Sequence, residues 1–71
     1  MSEYIIEYKG YSLNFTPREG DGEFAARWAH RNNHPNADKE WSPFSEVELC
    51  KTKVEAASVG KQYAMAWVDK K

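Results

Sequence analysis

The sequence has a single cysteine and no excess of charge of either sign. One cysteine among 71 residues cannot form an internal disulfide, and this pattern is typical of a reduced, cytoplasmic protein. Acidic and basic residues number 11 and 10, so the chain as a whole has no general attraction to nucleic acid or to an anionic membrane. We therefore expect a cytoplasmic protein in which any charged binding patch is local.

Long apolar stretches are also missing. No run approaches the roughly 20 residues that a membrane helix requires, and the first residues lack the basic-then-apolar pattern of a signal sequence. A length of 71 residues indicates one domain, residues 1–71, near the lower size limit for independent folding. The sequence contains 3 Trp, 4 Tyr and 3 Phe, and such large rings fill a thin core efficiently.

The C-terminal part of the chain predicts the main packing element. Thr52 and Glu55 have the spacing of a capping box, which predicts a helix from about Thr52 to Asp69. Placing successive residues about 100° apart gives this helix one apolar face, small in the middle and large at its C-terminal end. That face consists of Ala57, Gly60, Ala64, Trp67 and Val68. Such a helix can lie close against a sheet that supplies large side chains.

Alternation with a period of two predicts strands before the helix. Tyr4–Tyr8 and Tyr11–Thr16 flank a Lys-Gly pair, which fits a tight hairpin; a single strand kinked at Gly10 is the alternative. Glu23–Arg31 alternates as well and predicts a strand with one wet face. In that strand the inward residues are Phe24, Ala26, Trp28 and His30, and the outward residues are Ala25, Arg27, Ala29 and Arg31.

The connecting segments are less regular. Arg18–Gly22 has two glycines and an aspartate and is predicted as a turn, and Asn32–Lys39 as a polar loop. Trp41–Leu49 contains Pro43, so it forms either a short edge strand or an irregular segment. The fold class is therefore α+β: an antiparallel sheet of three or four strands with one C-terminal α-helix packed on one face. The predicted core consists of Ile6, Leu13, Phe15, Phe24, Trp28, Ala57, Gly60, Ala64, Trp67 and Val68.

Three short motifs are shared with a loose group of small bacterial proteins. They are Tyr8, Gly10 and Tyr11 near the start, then Thr52, Glu55 and Ala56, and finally Trp67, Val68 and Asp69. On these residues the chain resembles small, mostly uncharacterised sheet-plus-helix proteins, some of which are labelled HlyU-type regulators. Because the shared residues are fold-forming, the resemblance implies the fold and transfers no catalytic residue.

Residues with catalytic or metal-binding chemistry do not fall into a known pattern. His30 and His34 are four apart but span a strand end and a loop, so we expect no metal site. Cys50 has two lysines beside it, which lower a thiol pKa, but a nucleophile also needs a base and an orienting group. The glutamates at positions 46, 48 and 55 form a solvated acidic edge. We predict no enzyme activity, no catalytic residues and no cofactor.

Two arginines share one predicted strand face with small polar side chains. Arg27 and Arg31 lie beside the polar side of the preceding strand, which carries Ser12 and Asn14. Arginines among small side chains can hold a phosphate backbone through bidentate hydrogen bonds. Single-strand binders also present stacking aromatics, and this face shows none in the same register. Nucleic-acid binding through these four residues is thus the alternative hypothesis.

The leading hypothesis is a small non-enzymatic interaction or assembly module. A thin domain with one polar sheet face and unpaired edge strands commonly completes itself by pairing with a protein partner or with a second copy. We expect no membrane association. The alternative is a weak nucleic-acid-binding accessory protein that uses the basic sheet face.

Overall fold

The computed structural model describes residues 3–36 and 40–71. The described chain forms five strands followed by one helix. These are β1 (Ile5–Tyr8), β2 (Tyr11–Asn14), β3 (Arg18–Gly20), β4 (Glu23–Asn32), β5 (Ser45–Cys50) and α1 (Lys53–Asp69). Every strand pair is antiparallel, and α1 packs against the sheet, so the predicted α+β class is confirmed. The sheet has one strand more than the upper number predicted.

The first hairpin turns at the Lys-Gly pair. Tyr8 pairs directly with Tyr11, so Lys9 and Gly10 alone make the turn, with φ angles of 50° and 86°. Positive φ at both central residues defines the type I′ turn, whose twist matches that of the flanking strands. The hairpin prediction is confirmed, and the alternative of one kinked strand is wrong.

Strand β4 is the centre of the sheet, because β2, β3 and β5 all pair with it. Asn14 of β2 faces Ala29 and Arg18 of β3 faces Ala25. Arg18 follows Asn14 by four positions, and Ala25 precedes Ala29 by four positions. The pairing register with β4 is therefore the same for β2 and β3. Strands β2 and β3 are therefore two parts of one path along the same edge of β4, and β5 occupies the opposite edge.

The prediction of a turn over Arg18–Gly22 is wrong for its first three residues. Arg18–Gly20 forms β3, and only Asp21 and Gly22 turn the chain into β4, with φ of 78° at the glycine. The break in the strand lies earlier. Pro17 has no N–H to donate, and Asn14 Oδ1 accepts hydrogen bonds from the Thr16 backbone N–H and hydroxyl, at 3.0 and 2.6 Å.

The segment before the helix, predicted as either a short edge strand or an irregular segment, forms an edge strand. Strand β5 begins at Ser45, beyond Pro43, and carries Val47 as an extra bulged residue between the partners of Ala26 and Arg27. Before β5 the chain already follows β4, because the Ser42 N–H donates to the His30 carbonyl at 2.8 Å. Of the predicted loop, Asn32 ends β4, and residues 37–39 lie outside the described part of the chain.

Helix α1 begins where the capping residues predict. The Thr52 hydroxyl accepts a hydrogen bond from the Glu55 N–H at 3.1 Å, and Thr52 has the extended conformation of an N-cap. The buried residues of the helix are Ala56, Ala57, Gly60, Ala64 and Val68. In the described part of the chain no helix is long and apolar enough to cross a membrane.

The small residues of α1 let its backbone approach the sheet closely. A Cβ atom built on Gly60 would lie 2.6 Å from the Arg27 carbonyl oxygen and 3.3 Å from Phe15 Cβ. Farther along, the gap is filled by rings: Trp67 lies 5.6 Å from Trp28 and 5.2 Å from Tyr11 between ring centroids. The helix therefore nearly touches the sheet at Gly60 and is held off it by aromatic side chains near its C-terminal end.

The core lies between α1 and the sheet, as predicted. Leu13, Ala64 and Val68 form one buried cluster, and Ala26, Cys50 and Ala56 form another. Partly buried side chains surround them, among them Ile6, Phe24, Trp28 and Trp67. All members of the predicted core lie on this side of the sheet or are buried in α1.

The helix C-terminus is tied to the first hairpin. Asp69 Oδ1 accepts hydrogen bonds from Lys9 Nζ at 2.7 Å and from the Tyr8 hydroxyl at 2.9 Å. These hydrogen bonds lower the pKa of Asp69, and the bond from Lys9 has the larger effect. Because both charged groups are largely exposed, the contact orients the hairpin and adds little stability.

We predict that Gly60→Ala destabilises the protein. In an exposed helix position the same change stabilises by about 1 kcal/mol through helix propensity. Here the added methyl meets a backbone carbonyl that cannot rotate away, and overpacking of this kind costs about 1–3 kcal/mol. Urea denaturation gives the free energy of unfolding, with the exposed substitution Ser58→Ala as control. An unchanged or raised stability of Gly60→Ala would contradict the close packing of α1 on β4.

Candidate binding face of the sheet

The sheet has a second face, opposite α1, which we call the uncovered face. Residues of β4 alternate between the two faces, and Phe24 and Ala26 pack toward α1, so the odd-numbered residues of β4 lie on the uncovered face. Their cross-strand partners share it. The strand residues of the uncovered face are Ile5, Glu7, Ser12, Asn14, Arg18, Gly20, Glu23, Ala25, Arg27, Ala29, Arg31, Glu46 and Leu49.

Each arginine of β4 lies against an aromatic ring. Arg27 Cζ is 4.1 Å from the centroid of Phe44, and Arg31 Cζ is 4.9 Å from that of Trp41. Both distances are within the range of cation–π attraction. Sequence reasoning missed these rings because they come from the irregular segment before β5. Ser42 holds that segment along the edge of β4 by hydrogen bonds with the His30 backbone, and no periodicity in the sequence indicates this contact.

The paired side chains are held in place and cover the strand beneath them. Arg27 Nε donates to the Thr16 carbonyl at 2.9 Å, and Arg31 Nε is buried without a hydrogen-bond partner among the described residues. Ala29, between the two arginines on the same face, is only 1% exposed although α1 lies on the other side, and Ala25 is buried as well. The prediction that this face of β4 is wet is therefore wrong at both alanines. The arginine and aromatic side chains thus replace a second layer of structure here.

Two of the four predicted binding residues are engaged inside the domain. Ser12 is 2% exposed, and its hydroxyl accepts a hydrogen bond from Asn33 Nδ2 at 2.9 Å. Asn14 uses its side-chain oxygen for the turn at Thr16. The structure therefore brings Arg27 and Arg31 together with two aromatics, and gives Ser12 and Asn14 supporting positions between strands.

Toward β5 the uncovered face ends in an open hollow. Leu49 is 68% exposed there, and Arg18 Nη1 forms a salt bridge with Glu46 Oε2 at 2.7 Å. The hollow has a volume of about 290 Å³ and is lined by Arg18, Gly20, Asp21, Glu23, Ala25, Glu46 and Leu49. It offers one apolar contact with a polar rim, which suits a surface contact rather than an enclosed ligand.

The two histidines have different surroundings. His30 lies on the α1 side, stacked on Trp67 at 4.1 Å between ring centroids, and its burial, followed by the charge of Lys71, lowers its pKa. His34 Nδ1 instead accepts a hydrogen bond from the Asn36 N–H at 3.2 Å. Within residues 3–36 and 40–71, no three His, Cys, Asp or Glu side chains are grouped so as to hold a metal ion.

Cys50 is buried, and the thiol pKa moves upward. Burial is the largest cause of the raised pKa of Cys50, and the charges of Glu55 and Glu48 raise it further. Glu48 Oε2 lies 3.9 Å from the sulfur. These effects outweigh the neighbouring lysines, which in the sequence suggested a lowered pKa. The thiol therefore stays protonated near neutral pH and packs with Ala26 and Ala56.

Comparisons with family models, curated proteins and solved structures gave no match to this chain. The resemblance to HlyU-type proteins thus stays a prediction.

We predict that Cys50 reacts slowly with thiol reagents in the native protein. The thiolate is the reactive species, and both burial and a raised pKa reduce its accessible amount. A disulfide reagent such as DTNB at pH 7.5 should modify native Cys50 more slowly than it modifies free glutathione, and urea should remove the difference. Faster modification of the native protein than of glutathione would indicate an activated thiol and reopen the question of catalysis.

Proposed function

We propose that this protein is a small, non-enzymatic interaction module that binds a protein partner through the uncovered face. The observation that carries this proposal is the pairing of Arg27 with Phe44 and of Arg31 with Trp41 on that face. Arginine and aromatic residues are the types most enriched in protein interfaces and among the residues that contribute most of the binding energy.

The arginine side chains are ordered before any partner arrives. Arg27 is fixed from two sides, by the Thr16 carbonyl and by the Phe44 ring. Immobilising a long side chain on binding costs about 0.5–1.5 kcal/mol, and much of that cost is already met in the free protein. A rigid sheet therefore presents the two pairs in a fixed spacing.

Exposed apolar groups lie on the same face. Leu49 and Phe44 are 68% and 39% exposed, and charged side chains, among them Arg18 and Glu46, stand near Leu49. Apolar groups surrounded by polar ones are the usual arrangement of a protein–protein contact. By contrast, the exposed side of α1 carries isolated apolar residues, Val54 and Tyr63, and single ones need no partner.

Site-specific photo-crosslinking tests this proposal. The amino acid p-benzoylphenylalanine is introduced at position 49 on the uncovered face and, as a control, at position 63 on the exposed side of α1. Both native side chains are at least half exposed, so the two probes are matched in access to solvent. We expect irradiation in the native cells to give a discrete protein adduct from position 49 and none from position 63.

Replacing both Arg27 and Arg31 by glutamine should reduce the position-49 adduct while the circular-dichroism spectrum is retained. An adduct of equal yield from both positions, or one insensitive to the double substitution, would contradict binding through the uncovered face.

Nucleic-acid binding through the same face is a second candidate. The specific observation in its favour is that Trp41 and Phe44 stand beside Arg31 and Arg27, the combination of stacking ring and cation used by single-strand binders. Against it stands the net charge of −1 for the whole chain, which provides no long-range attraction to phosphates.

NMR titration with single-stranded and duplex DNA separates the two candidates. Nucleic-acid binding predicts shifts at Arg27, Arg31, Trp41 and Phe44 that decrease with salt, by roughly one unit of log–log slope per phosphate contact. The absence of shifts at low salt would eliminate this candidate and leave the protein partner as the remaining one.

A further inference from the structure

Three described strands, β1, β3 and β5, pair on one side only, and their open edges are protected differently. Strand β3 is only three residues long, and very short edge strands resist pairing. Edge strand β5 contains the bulge at Val47 and carries Glu46 and Glu48, two devices by which natural sheets prevent pairing with another chain. Edge strand β1, Ile5–Tyr8, pairs with β2 without a shift in register, and it carries one charge, Glu7. No described strand pairs with the outer edge of β1.

The hairpin geometry decides which groups of β1 point outward. Tyr8 and Tyr11 flank a two-residue turn, and such a pair exchanges two hydrogen bonds. The alternation continues inward at Ile6, and the Phe15 N–H donates to the Tyr4 carbonyl at 2.8 Å. The backbone groups of the intervening residues, Ile5 and Glu7, therefore point away from β2 toward the open edge.

We propose that β1 pairs with β1 of a second copy, antiparallel and around a twofold axis perpendicular to the sheet. Hydrogen bonding between outward-facing residues requires Ile5 or Glu7 of one copy to oppose Ile5 or Glu7 of the other. Opposing Glu7 to Glu7 places like charges directly across from each other, which is destabilising. Opposing Ile5 to Ile5 brings Glu3 of one copy toward Glu7 of the other, and these charges also repel each other.

One register avoids both repulsions. It places Ile5 opposite Glu7 of the second copy and Ile6 opposite its own counterpart. Beyond the two ends of the paired strands, it brings Glu3, in the turn before β1, toward Lys9, in the hairpin turn of the other copy, and these side chains have opposite charges. Lys9 is 61% exposed even in its contact with Asp69, so its ammonium is accessible to a second carboxylate. This charge complementarity is the reason for choosing a second copy as the occupant.

Packing on the α1 side favours the same arrangement. Tyr4, Ile6 and Tyr8 point to that side and stay partly exposed, although Lys53 of α1 lies over the Tyr4 ring and the Tyr8 hydroxyl donates to Asp69. Pairing in this register places Tyr4 opposite Tyr8 of the second copy, and Ile6 opposite Ile6. It thus covers the part of these side chains that is still exposed.

The dimer has a consequence for the uncovered face. A twofold axis perpendicular to the sheet keeps both helices on one side, so the two uncovered faces join into one surface. The pairing involves the β1 edge and is independent of what the uncovered face binds.

Sedimentation equilibrium from micromolar to millimolar concentration tests the pairing, which predicts a monomer–dimer equilibrium. The register is tested by a matched pair of variants at Ile5, which is 40% exposed. Ile5→Glu places a carboxylate opposite Glu7 of the second copy, and Ile5→Lys places an ammonium there. We expect the dimer Kd of Ile5→Glu to exceed that of Ile5→Lys by roughly twofold to thirtyfold. The twofold axis places residue 5 opposite Glu7 twice in each dimer, so the effect of the substitution on the binding free energy is counted twice. Equal Kd values would overturn the register.

Proline substitutions identify the edge. Glu7→Pro removes an N–H that points outward and no bond within the domain, and proline is tolerated at such edge positions. The control is Leu49→Pro. Gly20 and Glu23 flank a two-residue turn and exchange hydrogen bonds, so the backbone groups of Phe24 and Ala26 face β5, where Cys50 and Glu48 oppose them. The N–H of Leu49, between these two residues, therefore faces outward on β5. With folding of both variants verified by circular dichroism, Glu7→Pro should be monomeric and Leu49→Pro should still dimerise. A monomeric wild type at millimolar concentration, or the reverse pattern of the two prolines, would overturn the proposal.

Discussion

The contact between the α1 backbone and the carbonyl of Arg27 determines how the two layers meet. At Gly60 there is no space for a side chain, so the helix rests directly on β4. The gap widens toward the C-terminal end, where Trp28, His30 and Trp67 stack to fill it. With only one helix in the described chain, this arrangement uses most of the large apolar residues on one side of the sheet.

The other side of the sheet must therefore be covered differently. Ala25 and Ala29 are buried there, and the cover consists of long or planar side chains that lie over small ones, as Arg27 does with Phe44. This solution costs no additional secondary structure, which suits a short chain. It also produces a surface of arginine and aromatic groups. The side chains that complete the fold on this side are thus the ones that form the candidate binding face.

Local signals in the sequence predicted most of the fold. The cap at Thr52, the turn at Gly10 and the alternation in β4 depend on neighbouring residues, and the structure has all three. The wet outer face predicted for β4 depends on distant residues, and it is wrong because Ala25 and Ala29 are buried. The rest depends on contacts distant in the chain. Arg18–Gly20 became a strand because β4 supplies its partners despite the glycine. Trp41 and Phe44 reach the arginines because Ser42 bonds to His30. The upward shift of the Cys50 pKa depends on burial and on the charge of Glu55, which belongs to α1.

An isotope-edited NOESY spectrum tests the central claim that α1 contacts β4 at Gly60 while the arginine–aromatic pairs cover the opposite face. We expect cross-peaks from the Gly60 Hα protons to Phe15 Hβ, and separately from the Phe44 ring to the Arg27 side chain. Gly60 Hα cross-peaks confined to residues of α1 itself would show that the helix stands away from the sheet and would contradict the contact with β4.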